Sequence, residues 1–459
     1  MKDFIKGIIY KNIYSIIFET KKYDNIFWDT YNFSLKSKNW SYDKLRRYQL
    51  YQLKKLVIFA YENTKYYKKL FDEYGFNPYT IRSFKEINKL PILTKEDIKA
   101  NYKDLIAMPN RKLEYLTTGG STGMPMGFYV EKNVTYNKIN GFVWRSYNEG
   151  DYYFGDKIAT LRGNVTGKEN FKYSEEAHEL LLSSFHLTEE NMKKYLELME
   201  KYKVKHIRAY PSAAEILANY ILKNNIEFNS KGRIKTLFTS SETLSTEQRK
   251  LIEKSMNLKV VDHYGNSEGS VIISQCKCGH YHEYMEYGYT EYLNEEGKHI
   301  NDGQARVITT GFSNYAMPLI RYDTGDIAEL IKGQKCDCGM EHRVVNRIVG
   351  RWKSENLIVG TEGNLISLSA LNTHTGIFDN VYRIQYVQKE IGKMILNIMP
   401  NDKYTDKDRK RIYEEYKLKF GDDVEFILNE TDEFEYTQRG KFKLLVQELD
   451  INKFLNKKV

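Results

Sequence analysis

Three short runs decide the fold: VKHIRAY (204–210), IKTLFTS (234–240) and LKVVDHY (258–264). Each is strand-length and rich in β-branched and aromatic residues. Between the first and second lies AAEILANYILKNN, and between the second and third STEQRKLIEKSM, both with helical patterning. Strand, helix, strand, helix, strand at this spacing predicts right-handed crossovers and a parallel sheet covered by helices. Ligands bind such sheets beyond the carboxyl ends of the strands. The residues that follow the runs are Tyr210-Pro211-Ser212, Thr239-Ser240-Ser241-Glu242 and Tyr264-Gly265-Asn266-Ser267-Glu268. They are small, hydroxylated or acidic, so a binding site is expected there.

Outward from this centre, residues 45–75 read as one long helix, with Leu53, Leu56, Val57 and Ala60 on one face. Thr94, three residues before Asp97, reads as a helix N-cap. After about residue 350 the texture changes. VYRIQYVQ, KMILNIMP, the charged DKDRKRIYEEYKLKF, VEFILNE and KFKLLVQEL predict a small α+β unit of about 100 residues. The expected fold class is therefore α/β. A large N-terminal domain (1–350), with helix-covered, mostly parallel sheets, precedes a small C-terminal domain (351–459), with the boundary at Gly350-Arg351.

Composition narrows the function. Of 459 residues, 41% are hydrophobic and 29% charged, which excludes wholesale disorder. No uncharged apolar run approaches the ~20 residues that span a bilayer. The opening MKDFIKGIIYKNIYSIIFETKKYDN alternates charge with apolar residues and lacks a small-residue cleavage site, so it does not read as a signal peptide. Four cysteines are too few for a secreted disulfide scaffold, so a cytoplasmic protein is expected. The net charge of +9 suits small polyanions such as ATP, coenzyme A or nucleotide sugars. No Lys/Arg block is concentrated enough for a nucleic-acid arm, and nucleic acid is not an expected partner. Peripheral membrane association and oligomeric state stay open.

Three motifs could carry chemistry. Thr117-Thr118-Gly119-Gly120-Ser121-Thr122-Gly123-Met124-Pro125 could fold its backbone N–H groups and hydroxyls around phosphate, or could be the turn of a hairpin. Glu268 could hold Mg²⁺ beside nucleotide phosphates, or could simply stabilise a helix N-terminus. Asp326, in Arg321-Tyr322-Asp323-Thr324-Gly325-Asp326, could accept ribose hydroxyls, though T-G-D is also a common turn. Of the histidines, His186, His206 and His374 read as packed or surface residues, while His263 immediately precedes Tyr264.

The order and spacing of these motifs resemble the adenylate-forming ligase superfamily over nearly the whole chain. The resemblance gives Thr118, Gly119, Gly120, Ser121, Thr122 and Gly123 the phosphate-loop role, with Thr122 also catalytic and Met126 where a lysine often sits. It places Ser241, Glu242, His263, Tyr264, Gly265, Asn266 and Ser267 around the nucleotide, Tyr264 next to adenine and Asp326 on ribose. It makes Glu268 the Mg²⁺-associated acid, Gly350-Arg351 the hinge, and Lys441 of Arg439-Gly440-Lys441 the lysine that approaches the acyl phosphate. Two departures stand out: Asp323 replaces a common basic residue, and Ser354 takes the slot of the usual hinge aspartate. YPSAAEILANYI, FTSSETLSTEQRKLI, SQCKCGHYH, TGFSNYAMPLIRYDTGD and CDCG are similar to the phenylacetate–CoA ligase branch, and within it to the capsular polysaccharide biosynthesis, CapK-like group.

The cysteines form two C-x-C pairs, Cys276/Cys278 and Cys336/Cys338, with His280, His282 and His342 nearby. In a reducing compartment such pairs read as Zn²⁺ ligands, with free thiols as the alternative. Related proteins imply Cys276, His282, Cys336 and Cys338 as the set, with Cys278 as a possible substitute, in a closed structural site. The resemblance further implies a carboxylate-activating ligase that uses ATP and Mg²⁺, joins a small carboxylic acid to an amine or thiol, and moves its C-terminal domain between half-reactions. Coenzyme A is a candidate acceptor. Surface polysaccharide assembly is the favoured setting, an aryl- or acyl-CoA ligase the alternative, and a non-catalytic nucleotide-binding protein the third reading. Arg162, in TLRGN, is a candidate partner for an anionic substrate group or a structural ion-pair residue.

Overall fold

The computed structural model describes residues 23–108, 112–118, 126–163, 165, 169–349, 357–371, 375–435 and 443–455. The chain forms two compact units. One comprises Met1–Leu116, Phe128–Phe154 and Val261–Gly350, the other Thr117–Gly127, Gly155–Val260 and Arg351–Val459.

The second unit holds the parallel sheet. Ile158–Leu161 pairs parallel with both Glu179–Leu182 and His206–Ala209, and His206–Ala209 pairs parallel with Thr236–Thr239. Phe171–Ser174 adds an antiparallel edge. The helices Glu189–Lys201, Pro211–Lys223 and Thr246–Met256 start where the sequence supplies caps. Thr188 accepts from the N–H of Asn191, Pro211 sits in the first turn, and Ser245 forms a capping box with Gln248. Leu161, Ile207, Leu237, Leu217 and Ile252 are buried together between sheet and helices. All four residues of Thr236–Thr239 are buried, so the strand has no exposed face and no polar–apolar alternation.

The α+β part of the same unit is the one anticipated after residue 350. Val381–Glu390 and Lys393–Pro400 form an antiparallel pair, flanked in parallel by Leu445–Gln447 and Glu425–Glu430. The helix Asp406–Phe420 lays Ile412, Tyr416 and Phe420 on that sheet. Phe185, from the parallel-sheet half, is buried in the same core, and Asn364 Nδ2 donates to its carbonyl at 2.9 Å.

The first unit corrects one expectation. Residues 45–75 are two helices, Tyr42–Asn63 and Lys65–Glu73. Thr64 leaves the helical region (φ −125°, ψ 142°), and its hydroxyl accepts the N–H of Tyr67, restarting the chain as a new N-cap. Thr94 does cap its helix, with Asp97 closing the capping box. The remainder of the unit is antiparallel, not parallel. Gly288–Leu293, Gly303–Gly311, Tyr322–Leu330 and Arg347–Val349 form a four-stranded meander. Ile272–Gln275 pairs with Tyr281–Glu283 and with the end of Lys259–Gly265. Among the described residues no helix is long and apolar enough to cross a membrane.

Candidate functional site

In the first unit, the turn after Lys259–Gly265 and the strand Tyr322–Leu330 bring two acids together with two tyrosines. Tyr322 donates to Glu268 Oε1 at 2.6 Å, and Tyr264 donates to Asp326 Oδ2 at 2.7 Å. Glu268 is buried, and an isolated carboxylate there would be costly, so the phenol offsets part of its desolvation. Burial, then the nearby carboxylates Asp326 and Glu268, raise the Tyr264 hydroxyl well above its ordinary range. Burial, then Glu268 and Asp326, do the same to Tyr322. Both phenols therefore remain protonated donors near neutral pH.

The surrounding turn is built from the motif's own small residues. Asn266 Oδ1 accepts the N–H of Ser270 at 2.9 Å, and the Ser267 carbonyl accepts from Tyr136 at 3.3 Å. His263 lies 6.1 Å, ring to ring, from Tyr147. Gly325, at φ +73°, lets the T-G-D turn close, with Asp326 N–H donating to Thr324 Oγ1. Asp323, the departure from the usual basic residue, accepts from Arg306 at 2.5 Å, so a guanidinium returns to this corner from the neighbouring strand. A hard divalent cation takes carboxylate oxygens, and Glu268 is a buried carboxylate of that kind.

The second unit presents its own cluster at the carboxyl ends of its parallel strands. Arg162 donates to Ser240 Oγ at 2.6 Å and lies 5.1 Å from the Tyr210 ring. Ser212 donates to Glu242 from both its N–H (2.9 Å) and its hydroxyl (3.0 Å). Ser241 holds φ +73°, a conformation costly for a non-glycine residue. Thr118 is buried and exchanges backbone and side-chain hydrogen bonds with Met126. Gly119, Gly120, Ser121, Thr122, Gly123, Arg351 and Lys441 lie outside the described residues.

All four residues of the expected metal set converge in the first unit. The ligand atoms of Cys276, His282, Cys336 and Cys338 lie within 4.8 Å of one another. Cys276 and Cys336 Sγ are 3.5 Å apart, and Cys338 Sγ is 3.4 Å from His282 Nε2. Ligands arranged tetrahedrally around zinc stand about 3.5–3.8 Å apart, so the donor set and its spacing fit that ion. Cys278 is exposed and outside the cluster. His282 directs Nδ1 to the His342 carbonyl at 3.2 Å, which leaves Nε2 facing the thiols. Burial holds the His282 imidazole neutral, pushing its pKa down to about 4.

Behind the cluster sits a buried ion pair that the sequence did not announce. Arg145 donates to Glu286, whose other oxygen lies 3.4 Å from His342 Nδ1, and Ser37 donates to the same carboxylate at 2.8 Å. The Arg145 guanidinium lies over the Tyr284 ring, its Cζ 3.4 Å from the centroid.

These arrangements meet independent likenesses. Residues 358–448 match the family of the CapK C-terminal domain. Protein CapK of Staphylococcus aureus is 27% identical over 84% of this chain and 86% of its own. The phenylacetate-coenzyme A ligase of Pseudomonas putida is 26% identical over 70% of this chain and 73% of its own. A solved 2-hydroxyisobutyryl-CoA ligase, in complex with 2-HIB-AMP and CoA, shares the fold, with TM-score 0.57 at 17% identity and coverage of 92% of this chain and 93% of that one. The chain is thus similar to CapK along most of its length and to the phenylacetate-coenzyme A ligases over about two thirds of it, and it shares the fold of an acyl-CoA ligase.

Proposed function

We propose that this chain is an AMP-forming ligase that activates a small carboxylic acid with ATP and then transfers the acyl group to an amine or thiol. The observation that carries the reading is the pairing of Glu268 with Tyr322 and of Asp326 with Tyr264 in one corner of the fold. In this reading Asp326 receives the ribose hydroxyls, Tyr264 lies along adenine, and Glu268 holds Mg²⁺, which supplies positive charge at the phosphates. The carboxylate and the α-phosphate are both anionic, so their approach needs fixed positive charge in place beforehand. Lys441 is assigned that role for the first half-reaction, and residues 351–459 the motion that brings it in and withdraws it. Zinc is assigned to Cys276, His282, Cys336 and Cys338, where it would fix the 331–343 loop to the Ile272–Gln275 and Tyr281–Glu283 strands.

The setting we favour is surface polysaccharide assembly, supported by the CapK likeness along most of the chain and at residues 358–448. An aryl- or acyl-CoA ligase is a second reading, favoured by the relatives named phenylacetate-coenzyme A ligase. A pyrophosphate-release screen across carboxylic acids, run with coenzyme A and separately with amines, tests the proposal. Acid-dependent release of pyrophosphate and AMP is expected, and the acceptor that accelerates turnover separates the two settings. Acid-dependent ADP formation, or no response to any acid, would contradict it.

A further inference from the structure

A cavity of about 620 Å³ opens in the first unit at the opposite end of the Tyr322–Leu330 strand from Glu268. That volume lies in the range of small-molecule sites, roughly 300–1,000 Å³. Leu330 lines it, and at about 3.3 Å per residue the strand sets it some 26 Å from Tyr322 and some 13 Å from Asp326. It is therefore separate from the Glu268–Asp326 corner.

Its walls combine apolar side chains with two cationic ones, and Cys336 of the metal cluster and His342 also line it. The rings of Tyr42 and Tyr292 and the side chains of Ile300 and Leu330 form the apolar part, which Ile331, 48% exposed, extends to the rim. Arg343 and Lys335 bring positive charge to the lining. Arg343 is held from behind: its Nη1 donates to the Thr290 carbonyl at 3.1 Å and lies 3.3 Å from Glu283, and its guanidinium is 5.1 Å from the Tyr292 centroid. Its side chain keeps 28% of its surface exposed, and its charge is shared with the buried Glu283. The acid of the wall, Glu341, is already engaged, accepting the Tyr42 N–H at 2.7 Å.

An oriented guanidinium, an exposed ammonium and two tyrosines in the lining suit a carboxylate or sulfonate on an apolar body. We propose that this cavity is a second small-molecule site, for aryl or acyl monoanions, distinct from the nucleotide site. The inference stands on the cavity itself and does not depend on the ligase reading.

The test uses 8-anilinonaphthalene-1-sulfonate as probe on the full chain, with neutral N-phenyl-1-naphthylamine as control. Saturable binding of about one sulfonate per chain is expected, unaffected by excess ATP and Mg²⁺, with the neutral control binding more weakly. Arg343→Gln and Lys335→Glu should each weaken it about tenfold, the loss of one charge-assisted contact. Lys335 is exposed and is not itself one of the cluster's ligands, so Lys335→Glu, with zinc content and melting temperature checked because Cys336 follows it, decides the matter if Arg343→Gln does not fold. Displacement by ATP, equal binding of the neutral control, absence of saturation, or an unchanged affinity in Lys335→Glu would each overturn the proposal.

Discussion

Tyr322 donates its phenolic hydrogen to Glu268 Oε1 across 2.6 Å, although 54 residues separate the two in sequence. The strand Tyr322–Leu330 thus aims the acid that the turn after Lys259–Gly265 supplies. Removing the hydroxyl should cost a hydrogen bond to a charged group, about 1.5–3 kcal/mol. Tyr322→Phe is expected to weaken Mg²⁺-dependent ATP binding roughly tenfold with the fold retained, and Glu268→Ala to abolish it. Calorimetry with ATP in the presence and absence of Mg²⁺ checks both. Unchanged affinity in Glu268→Ala would remove that residue from the site.

The clustered thiols and imidazole predict about one zinc per chain in protein purified without added metal, measured by elemental analysis. Structural zinc contributes directly to folding free energy, so Cys336→Ser should lower both zinc content and the melting temperature. Cys278, exposed and outside the cluster, is the internal control, and Cys278→Ser should change neither. A zinc content near zero in the unaltered protein would contradict the assignment.

Glu286 is buried between Arg145 and His342, and its loss would strand a guanidinium in the interior. Breaking such a pair costs about 3–5 kcal/mol. Glu286→Ala should therefore shift the urea midpoint down by that equivalent with little change in slope. A loss no larger than a surface substitution, about 0.5 kcal/mol, would mean that the pair carries no such weight.

What the sequence made legible, and what it hid, follows from the range of the forces involved. The runs at 204–264 declared themselves because strand composition, helix caps and turn residues are local signals. The strands Gly288–Leu293 and Ile272–Gln275 did not: they are fully buried like Thr236–Thr239, so no alternation remains to be read, and no capped helix lies between them to mark them as the helices around 236–239 do. The break at Thr64 was hidden by periodicity: Leu53, Leu56, Val57, Ala60, Tyr67 and Phe71 are all buried, so the apolar spacing runs on through a cap that only the threonine betrays. The two C-x-C pairs were legible as candidate metal ligands from their spacing, while the choice of His282 over Cys278 followed from the resemblance alone. The Tyr322–Glu268 and Arg145–Glu286 contacts were not, because partners 54 and 141 residues apart leave no pattern in a single chain.

The central claim is that an acid is activated as its adenylate, with Lys441 supplying charge to that step alone. The most direct measurement is acid-dependent exchange of labelled pyrophosphate into ATP, compared with acyl transfer from a synthetic acyl adenylate, in the unaltered chain and in Lys441→Ala. Loss of one such charge-assisted contact costs about 2.7–4 kcal/mol in the barrier, so exchange should fall roughly 10²–10³-fold while transfer stays largely intact. Equal losses in both half-reactions, or no loss in either, would contradict the account.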